Sequence, residues 1–252
     1  MSDSPAPGSA TAPGDQTSIV GWPDGQGHRT LLATASNLEG NAGADSQLQI
    51  FSPGQWGTPK SFAVGRDEPG PMALADVDGD GDLDLFLGGR SRPGRYPEPA
   101  SSSLWINDAG TLRRDEAWSR PFQSMGIVQG ATAADLDGDG KPDLALAMEW
   151  GPIRVFHLRG NRFVEATESQ GLTRLTGWWT GSAAGDFDGD GRVDLACGNW
   201  GRNSIYELHQ PTAFRLYHGD WSGDGGVQMI EAWQAAGSGR WFPVHDRSWL
   251  ER

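Results

Sequence analysis

Short apolar runs alternate with polar, glycine-rich turns along most of the chain. The runs are rich in Leu, Ile, Val and Phe, a pattern typical of β-strands bounded by turns. Glycine and proline are frequent, with 37 and 16 residues, and both favour turns over long helices. The sequence predicts strands in these segments: 30–35 (TLLATA), 48–51 (LQIF), 102–107 (SSLWIN), 153–158 (IRVFHL), 162–167 (RFVEAT) and 214–218 (FRLYH).

An acidic stretch with apolar runs on both sides repeats along the chain. Residues 73–89 are ALADVDGDGDLDLFLGG, 132–148 are TAADLDGDGKPDLALAM and 183–199 are AAGDFDGDGRVDLACGN, and a weaker copy, YHGDWSGDGGVQMIEAW, spans 217–233. The first Asp residues of successive copies lie 59, 51 and 34 residues apart. Repeats of roughly 40–50 residues with short strands are typical of propeller blades. We therefore predict an all-β fold, a β-propeller or a fragment or arc of one, with about four to five four-stranded blades.

Each of the three strong copies contains the pattern D-x-D-x-D-G-x-x-D. When such a stretch coils, the side-chain oxygens at loop positions 1, 3, 5 and 9 and the backbone carbonyl at position 7 converge on one point. Glycine at position 6 permits the sharp turn. Hard carboxylate and carbonyl oxygens favour Ca²⁺, and the absence of His and Cys from the loops argues against Zn²⁺.

The predicted Ca²⁺ ligands are the residues at these five positions in each strong copy, with position 7 acting through its carbonyl. They are Asp76, Asp78, Asp80, Asp82 and Asp84 in the first loop, Asp135, Asp137, Asp139, Lys141 and Asp143 in the second, and Asp186, Asp188, Asp190, Arg192 and Asp194 in the third. The fourth copy offers a weak or vestigial set: Asp220, Ser222, Asp224 and Gln228.

Negative charge is concentrated in these loops. The chain carries 33 acidic against 20 basic residues, a net charge of −13, and the three strong copies hold thirteen aspartates. Two unit charges about 6 Å apart repel by roughly 3 kcal/mol at an effective dielectric of about 20, so such a cluster favours a bound cation. The alternative is an Asp-Gly turn repeated for solubility, but the terminal Asp recurs at the same spacing in all three copies. The sequence has no run of Lys and Arg, which argues against nucleic-acid binding.

An EF-hand is the nearest competing motif, and it does not fit. It requires a bidentate Glu at loop position 12, where this chain has Leu87, Leu146 and Cys197. An EF-hand loop also lies between two helices, whereas the flanks here are predicted strands.

The first 18 residues differ in composition from the rest of the chain. MSDSPAPGSATAPGDQTS is rich in Pro, Ala, Gly and Ser, and it has neither the basic nor the apolar segment of a signal peptide. We predict a disordered lead-in or linker over residues 1–18 and the propeller domain over 19–252. Twelve Trp residues indicate a globular domain, and no apolar run approaches the length of about 18 residues that crosses a membrane.

The aromatic, acidic and histidine residues outside the loops show no catalytic arrangement. Trp178 and Trp179 are adjacent in a predicted strand, so their side chains lie on opposite faces of the sheet. We predict that one of the two faces solvent and contacts a ligand by stacking. Glu149 has an aromatic neighbour in sequence, but a lone carboxylate gives no acid/base pair. The five His residues show no metal-ligand spacing.

The acidic loops resemble the FG-GAP/VCBS calcium repeats of integrin alpha-subunit propellers and of many bacterial surface proteins. SLWINDAGTLRRDEA (103–117) and RVFHLRGNRFVEATESQGL (154–172) are similar to the second half of a VCBS repeat. Residues 89–105 and 177–204 look like the bacterial branch related to cartilage acidic protein, which often carries an ASPIC/UnbV domain. The resemblance covers about residues 28–235. It implies a β-propeller, Ca²⁺ in the loops and an adhesion or binding role at the cell surface, in the periplasm or outside the cell.

Two features depart from the family pattern. Ser222 and Gln228 stand where Asp is expected, so the fourth loop is predicted to bind metal weakly or not at all. Family propellers usually close with about seven blades, whereas a chain of this length accommodates about five at roughly 50 residues per blade.

These observations favour a non-catalytic, Ca²⁺-stabilised propeller module that binds an extracellular protein or glycan. The alternative is a propeller-based polysaccharide lyase or hydrolase with structural Ca²⁺, because function depends on sites carried by a fold and not on the fold itself. Paired carboxylates or a Lys/Tyr/Arg cluster in a cleft would favour the enzyme. The sequence outside the loops shows no such cluster, which is why we expect a binding role.

Overall fold

The computed structural model describes residues 15–23, 29–36, 44–55, 57–201, 206 and 213–245. Strands dominate these residues, and the helical structure described consists of one short α-helix, α1 (Glu116–Ser119), followed by one 3-10 turn (Arg120–Phe122). Within the described residues, no helix is long and apolar enough to cross a membrane.

Seventeen strands follow one another along the described chain. They are β1 (Gln16–Pro23), β2 (Arg29–Ala35), β3 (Ser46–Phe51), β4 (Lys60–Gly65), β5 (Pro69–Ala75), β6 (Asp84–Gly89), β7 (Ser103–Asp108), β8 (Thr111–Asp115), β9 (Ile127–Ala134), β10 (Asp143–Gly151), β11 (Arg154–Leu158), β12 (Phe163–Glu165), β13 (Gly177–Gly185), β14 (Asp194–Asn199), β15 (Phe214–Gly219), β16 (Gln228–Gln234) and β17 (Trp241–Pro243).

The strands pair in antiparallel order as successive blades. Blade 1 consists of β1–β4 and blade 2 of β5–β8, each a four-stranded sheet whose neighbours in sequence are neighbours in space. Blade 3 consists of β9–β12 and blade 4 begins with β13–β14, and the end of β10 also pairs with β13, which joins the two into one six-stranded sheet. Blade 5 is described as β15–β17.

The first strands of consecutive blades lie side by side. Strand β1 lies against β5, β5 against β9 and β9 against β13. Four-stranded meanders whose first strands are neighbours are the arrangement of propeller blades around an axis. The fold is therefore all-β and of the propeller type, as the repeat spacing predicts.

Apolar side chains on the blade faces form two core clusters. One cluster joins blades 1 and 2 and includes Leu32, Leu48 and Leu85, all fully buried. The other joins blades 2 and 3 around Phe122, whose ring makes edge contacts with Phe86 and Phe156 at centroid distances of 5.1 and 5.0 Å. Burying large aromatic rings between sheets is the main stabilising contribution available to short strands.

The strands predicted from sequence are confirmed, with bounds that differ by a few residues. The segments at 30–35, 48–51 and 153–158 correspond to β2, β3 and β11. Strand β1 begins at Gln16, so the first blade starts inside the segment expected to be a lead-in. Residues 1–14 of that segment lie outside the described residues, and the proposed domain boundary at 18 and 19 stays a prediction.

Candidate functional site

The acidic loops occupy the same place in each blade. They span 76–83 between β5 and β6, 135–142 between β9 and β10, 186–193 between β13 and β14, and 220–227 between β15 and β16. Each one connects the first strand of its blade to the second. Because β5, β9 and β13 lie side by side, the first three of these loops share one end of the blades.

The aspartate at loop position 1 organises the coil. The carboxylate of Asp76 accepts hydrogen bonds from the backbone N–H groups of Gly79, at 2.7 Å, and Gly81, at 3.0 Å. Both glycines have positive φ, 82° and 94°, a conformation that residues with a Cβ rarely adopt. The sequence pattern had required a glycine only at position 6, and the structure shows that the glycine at position 4 has the same role. The first residues of the other three loops make the same pair of bonds: Asp135, Asp186 and Asp220.

The aspartate at position 9 ties the loop to the blade. Asp84 is only 1% exposed, and its two carboxylate oxygens accept from the N–H groups of Val77 and Asn107, both at 2.9 Å. Burial raises the pKa of Asp84 to about 6, against the opposing effect of these hydrogen bonds. Asp143 is fully buried and makes the equivalent bonds to Leu136 and Leu158.

The structure brings three of the predicted side-chain ligands together in each strong loop. In the first loop and in the third, the carboxylates at positions 1, 3 and 9 each offer an oxygen within 4.8 Å of the others. In the second loop the same holds for positions 1, 3 and 5. The three groups are Asp76, Asp78 and Asp84; Asp186, Asp188 and Asp194; and Asp135, Asp137 and Asp139. Sets of convergent carboxylates with nearby carbonyls are the donors that Ca²⁺ prefers, so the residues fit this ion.

Position 5 and position 7 are linked in all three strong loops. The carboxylates of Asp80, Asp139 and Asp190 accept from the N–H groups of the residues at position 7. These residues are Asp82, Lys141 and Arg192. In the first loop the Asp82 side chain also accepts from the N–H of Ala109, at 3.0 Å. The Asp82 side chain therefore has a partner of its own, and the role of the three position 7 residues as carbonyl donors stays a prediction.

Two basic side chains that the sequence analysis missed lie against the second loop. Arg159 donates from Nη1 to Asp139 at 2.9 Å and from Nη2 to Asp137, and it lowers the pKa of Asp137. His157 is buried, with Nδ1 at 2.9 Å from Asp143 and 3.4 Å from Asp137. The argument against Zn²⁺ from the absence of His is therefore wrong for this loop, because strand pairing places a histidine beside it.

A register comparison shows why the second loop has these neighbours and the first does not. Asn107 on β7 and Leu158 on β11 make the same backbone bond to the position 9 aspartates, so they are equivalent residues. The residue after each one is Asp108 beside the first loop and Arg159 beside the second. The residue before is Ile106 in place of His157. The two loops thus share a backbone but differ by two units of charge at one position.

The fourth loop has the same backbone with an amide in place of a carboxylate. Gln228 Oε1 accepts from the N–H of Trp221 at 2.7 Å, which is the bond made by Asp84 to Val77 in the first loop. Its Nε2 group donates to Ser222 Oγ at 2.7 Å. An N–H···O bond thus joins positions 3 and 9, where a cation would join two carboxylates. The weak fourth site stays a prediction that this geometry favours.

Trp178 lies in an aromatic cleft, and Trp179 does not line it. The Trp178 ring is 5.0 Å from that of Trp150 and 4.7 Å from that of Trp200, measured between centroids. These three residues and Tyr206 line a cleft of about 420 Å³. The indole N–H of Trp179 instead donates to the carbonyl of Leu175, at 3.1 Å.

Glu149 has two side-chain hydrogen-bond partners that the sequence did not indicate. It is buried, and its two oxygens accept from the Tyr96 hydroxyl and from the Gln129 amide. The indole N–H of Trp150 donates to the same Tyr96 hydroxyl at 2.8 Å. Burial and the hydrogen bond to Glu149 raise the pKa of Tyr96. Sequence spacing offers no signal for this group, because three separate segments contribute to it.

Part of this chain is similar to a known repeat family. A model of the FG-GAP-like repeat matches residues 76–146 and 135–197. Cartilage acidic protein 1 of Xenopus tropicalis is 29% identical over 132 residues, which cover 49% of this chain and 20% of that protein. A solved Xanthomonas type IV secretion system related protein aligns at 11% identity over 90% of this chain and 93% of its own, with a TM-score of 0.30. The matched segments carry the first three acidic loops, so residues 76–197 are similar to FG-GAP-like repeats.

Proposed function

We propose that this chain is a non-catalytic β-propeller module that is stabilised by Ca²⁺ and binds a protein or a glycan outside the cell. One observation carries the proposal. Three loops at the same end of consecutive blades each gather three aspartate oxygens within 4.8 Å of one another. Side chains of like charge take up such an arrangement at lowest cost when a cation lies between them.

The loop residues connect cation binding to the stability of each blade. Asp84 is held by the N–H groups of Val77, in the loop, and Asn107, on the third strand, so its position depends on the blade being folded. A cation held by Asp76, Asp78 and Asp84 would hold the start and the end of the loop together. Binding energy that exists only in the folded loop adds to the folding free energy.

An extracellular setting fits the chemistry of these loops. The position 1 and position 5 aspartates also accept hydrogen bonds from the loop backbone. Some of the oxygen lone pairs that could bind a cation are therefore already used. Sites of this kind in extracellular modules are tuned to Ca²⁺ at about 10⁻⁴ to 10⁻³ M. The similarity of residues 76–197 to FG-GAP-like repeats supports the same role in binding or adhesion.

The alternative, a polysaccharide lyase or hydrolase, would require an acid/base pair that reaches a substrate. Glu149 is a buried acid next in sequence to Trp150 of the aromatic cleft, and its two oxygens accept hydrogen bonds from Tyr96 and Gln129. A carboxylate satisfied in this way supports a structural role better than proton transfer. The binding role is therefore preferred.

Calorimetric titration of metal-free protein with Ca²⁺ tests the proposal. We expect up to three equivalents to bind, one for each strong loop, with little binding to the fourth. Mg²⁺ at the same concentration is the comparison. Mg²⁺ requires a nearly ideal octahedral geometry and keeps several of its water ligands, so a flexible site made of protein groups should bind it less well. A titration with no heat and no change in protein stability would contradict the proposal.

A further inference from the structure

We infer that the cleft bounded by Trp150, Trp178, Trp200 and Tyr206 binds a neutral saccharide, with the sugar ring stacked on the exposed indole of Trp200. This inference deepens the proposed binding function and rests on it. The cleft has a volume of about 420 Å³, which lies within the roughly 300–1,000 Å³ range of ligand sites. It is separate from the acidic loops and shares no lining residue with them.

A β-bulge directs Trp150 into the cleft. Glu149 pairs with Trp178 and Gly151 pairs with Gly177, so Trp150 is an extra residue of β10 that has no partner on β13. Its φ angle is 60°, in the left-handed region, which a residue with a bulky side chain rarely adopts. Bulges of this type re-aim a side chain beside functional sites.

Hydrogen bonds fix the aromatic walls before any ligand arrives. The Trp150 indole N–H donates to the Tyr96 hydroxyl, which in turn donates to the buried Glu149. On the other side, the Tyr206 hydroxyl donates to Glu231. Rings held in this way lose little conformational entropy when a ligand binds, which favours affinity.

The three indoles form a stack that ends at an exposed ring. Successive rings from Trp150 to Trp178 to Trp200 are tilted by 37° and 36°, with centroids 5.0 and 4.7 Å apart, so Trp178 lies between its two neighbours. Trp200 is 47% exposed, so this end of the stack is open to solvent. A pyranose has an apolar C–H face and a rim of hydroxyls, and such a face covers an indole and removes apolar area from water.

Uncharged polar groups line the cleft beside the stacked indoles. Asn199 and Thr176 line the cleft with the aromatic rings. The space beside Gly177 accommodates the Asn199 amide, since a methyl group on that glycine would come within 2.3 Å of the amide nitrogen. Amide and hydroxyl groups of this kind exchange hydrogen bonds with sugar hydroxyls.

The charge of the side chains that line the cleft indicates whether a saccharide or a cation would bind there. The side chains that the structure describes as lining this cleft carry no formal charge, and the nearby carboxylates of Glu149 and Glu231 accept hydrogen bonds from tyrosine hydroxyls. An aromatic site for a quaternary ammonium ion gains from the ring faces but gains more from a free carboxylate. The neutral wall therefore favours a neutral ligand.

Titration with neutral oligosaccharides tests the inference. We expect neutral saccharides found by array screening of the whole chain to quench or shift tryptophan fluorescence and to protect it from acrylamide. Trp200→Ala, at an exposed ring, and Trp178→Ala should each weaken binding by about tenfold. Trp221→Ala is the matched control, because that exposed indole lies outside the cleft, and it should leave binding unchanged.

The outcomes separate this inference from the proposed function. Binding that is weakened by the cleft variants and not by the control supports the inference. Binding of a quaternary ammonium probe with no binding of saccharides would overturn it, as would the absence of any saccharide signal in protein that still binds Ca²⁺. If a variant fails to fold, the deciding measurement is whether a saccharide protects the tryptophan fluorescence of the unaltered chain from acrylamide. Loss of Ca²⁺ binding, by contrast, would overturn the proposed function.

Discussion

Arg159 and Asp139 form an ion pair across the mouth of the second acidic loop, with Nη1 of the arginine 2.9 Å from Oδ2 of the aspartate. The same guanidinium reaches Asp137. The first loop has Asp108 at the equivalent position. One loop is therefore partly neutralised by the protein itself, while the other carries additional negative charge. Loops with the same sequence pattern are thus electrostatically unequal.

Removing this arginine should strengthen cation binding at the second loop. We expect Arg159→Gln to raise its Ca²⁺ affinity by about two- to fivefold, because an exposed ion pair contributes little energy but competes directly for Asp137 and Asp139. The measurement is calorimetric titration in a background in which Asp76→Ala and Asp186→Ala disable the other strong loops.

Arg113→Gln is the matched control, since it removes the same charge from an exposed arginine that pairs with Asp115 instead. It should leave the Ca²⁺ affinity of the second loop nearly unchanged. Equal effects of the two variants would show that net charge, and not the contact with the loop, sets the affinity.

The position 1 aspartates allow loop folding to be separated from metal binding. Asp76 and Asp220 make the same two backbone hydrogen bonds within their loops. In chelator, Asp76→Ala and Asp220→Ala should each lower the free energy of unfolding by about 1–3 kcal/mol, because both remove charge-assisted hydrogen bonds. When Ca²⁺ is added, only Asp76→Ala should lose part of the stabilisation. Denaturant melts with and without Ca²⁺ measure this difference, and an equal loss in both variants would contradict it.

The fourth loop should become a cation site with two substitutions. Ser222→Asp and Gln228→Asp together would replace the Nε2 to Oγ hydrogen bond by two carboxylates on an unchanged backbone. We expect the double variant to bind one additional equivalent of Ca²⁺ and to be less stable than the parent chain in chelator, since the new charges repel one another.

Ser222→Asn with Gln228→Asn is the control for this gain, because it changes both side chains without adding charge. If the aspartate variant binds no further Ca²⁺ while remaining folded, then the loop backbone is not sufficient to define a site.

The sequence predicted the parts of this protein that depend on local pattern. The D-x-D-x-D-G-x-x-D spacing predicted that the carboxylates of a loop converge, and those of positions 1 and 3 lie close together in all three strong loops. The apolar runs on either side predicted strands such as β5 and β6, since alternation and turns are read within a few residues.

The parts that were missed depend on strand register. His157 and Arg159 reach the second loop only because β11 pairs with β10 in a particular alignment, with Phe156 opposite Leu144. Trp150 reaches Trp178 only through a bulge. A shift of one residue in either pairing would turn these side chains to the other face, and sequence spacing alone does not specify such a shift.

Two tyrosines should resist ionisation until the protein unfolds. Burial and hydrogen bonds to Glu149 and Glu231 raise the pKa values of Tyr96 and Tyr206 above the ordinary value of about 10. A phenol whose pKa is raised in the folded state stabilises the protein fully below the unfolded pKa, and this stabilisation is lost as the pH rises above it. Absorbance at the tyrosinate band, recorded with circular dichroism, should show these groups ionising together with unfolding. Ionisation of all tyrosines near pH 10 in folded protein would contradict this.

Chelation should lower the melting temperature at neutral pH. Without a cation, each strong loop holds at least four carboxylates in close quarters, and their repulsion disfavours the folded turn. A site saturated at about 100 times its dissociation constant contributes about 2.7 kcal/mol, and roughly 1 kcal/mol shifts the midpoint of a domain of this size by about 2–4 °C.

We therefore expect a fall of about 5–10 °C for each such loop when a chelator replaces Ca²⁺. Ionic strength must be held constant, because added salt screens the same repulsion and would imitate part of the effect. Mg²⁺ in place of Ca²⁺ should restore less of the midpoint, since Mg²⁺ gives up its water ligands reluctantly. An unchanged midpoint would mean that the backbone hydrogen bonds of Asp76, Asp135 and Asp186 are sufficient to hold the loops as ordinary turns.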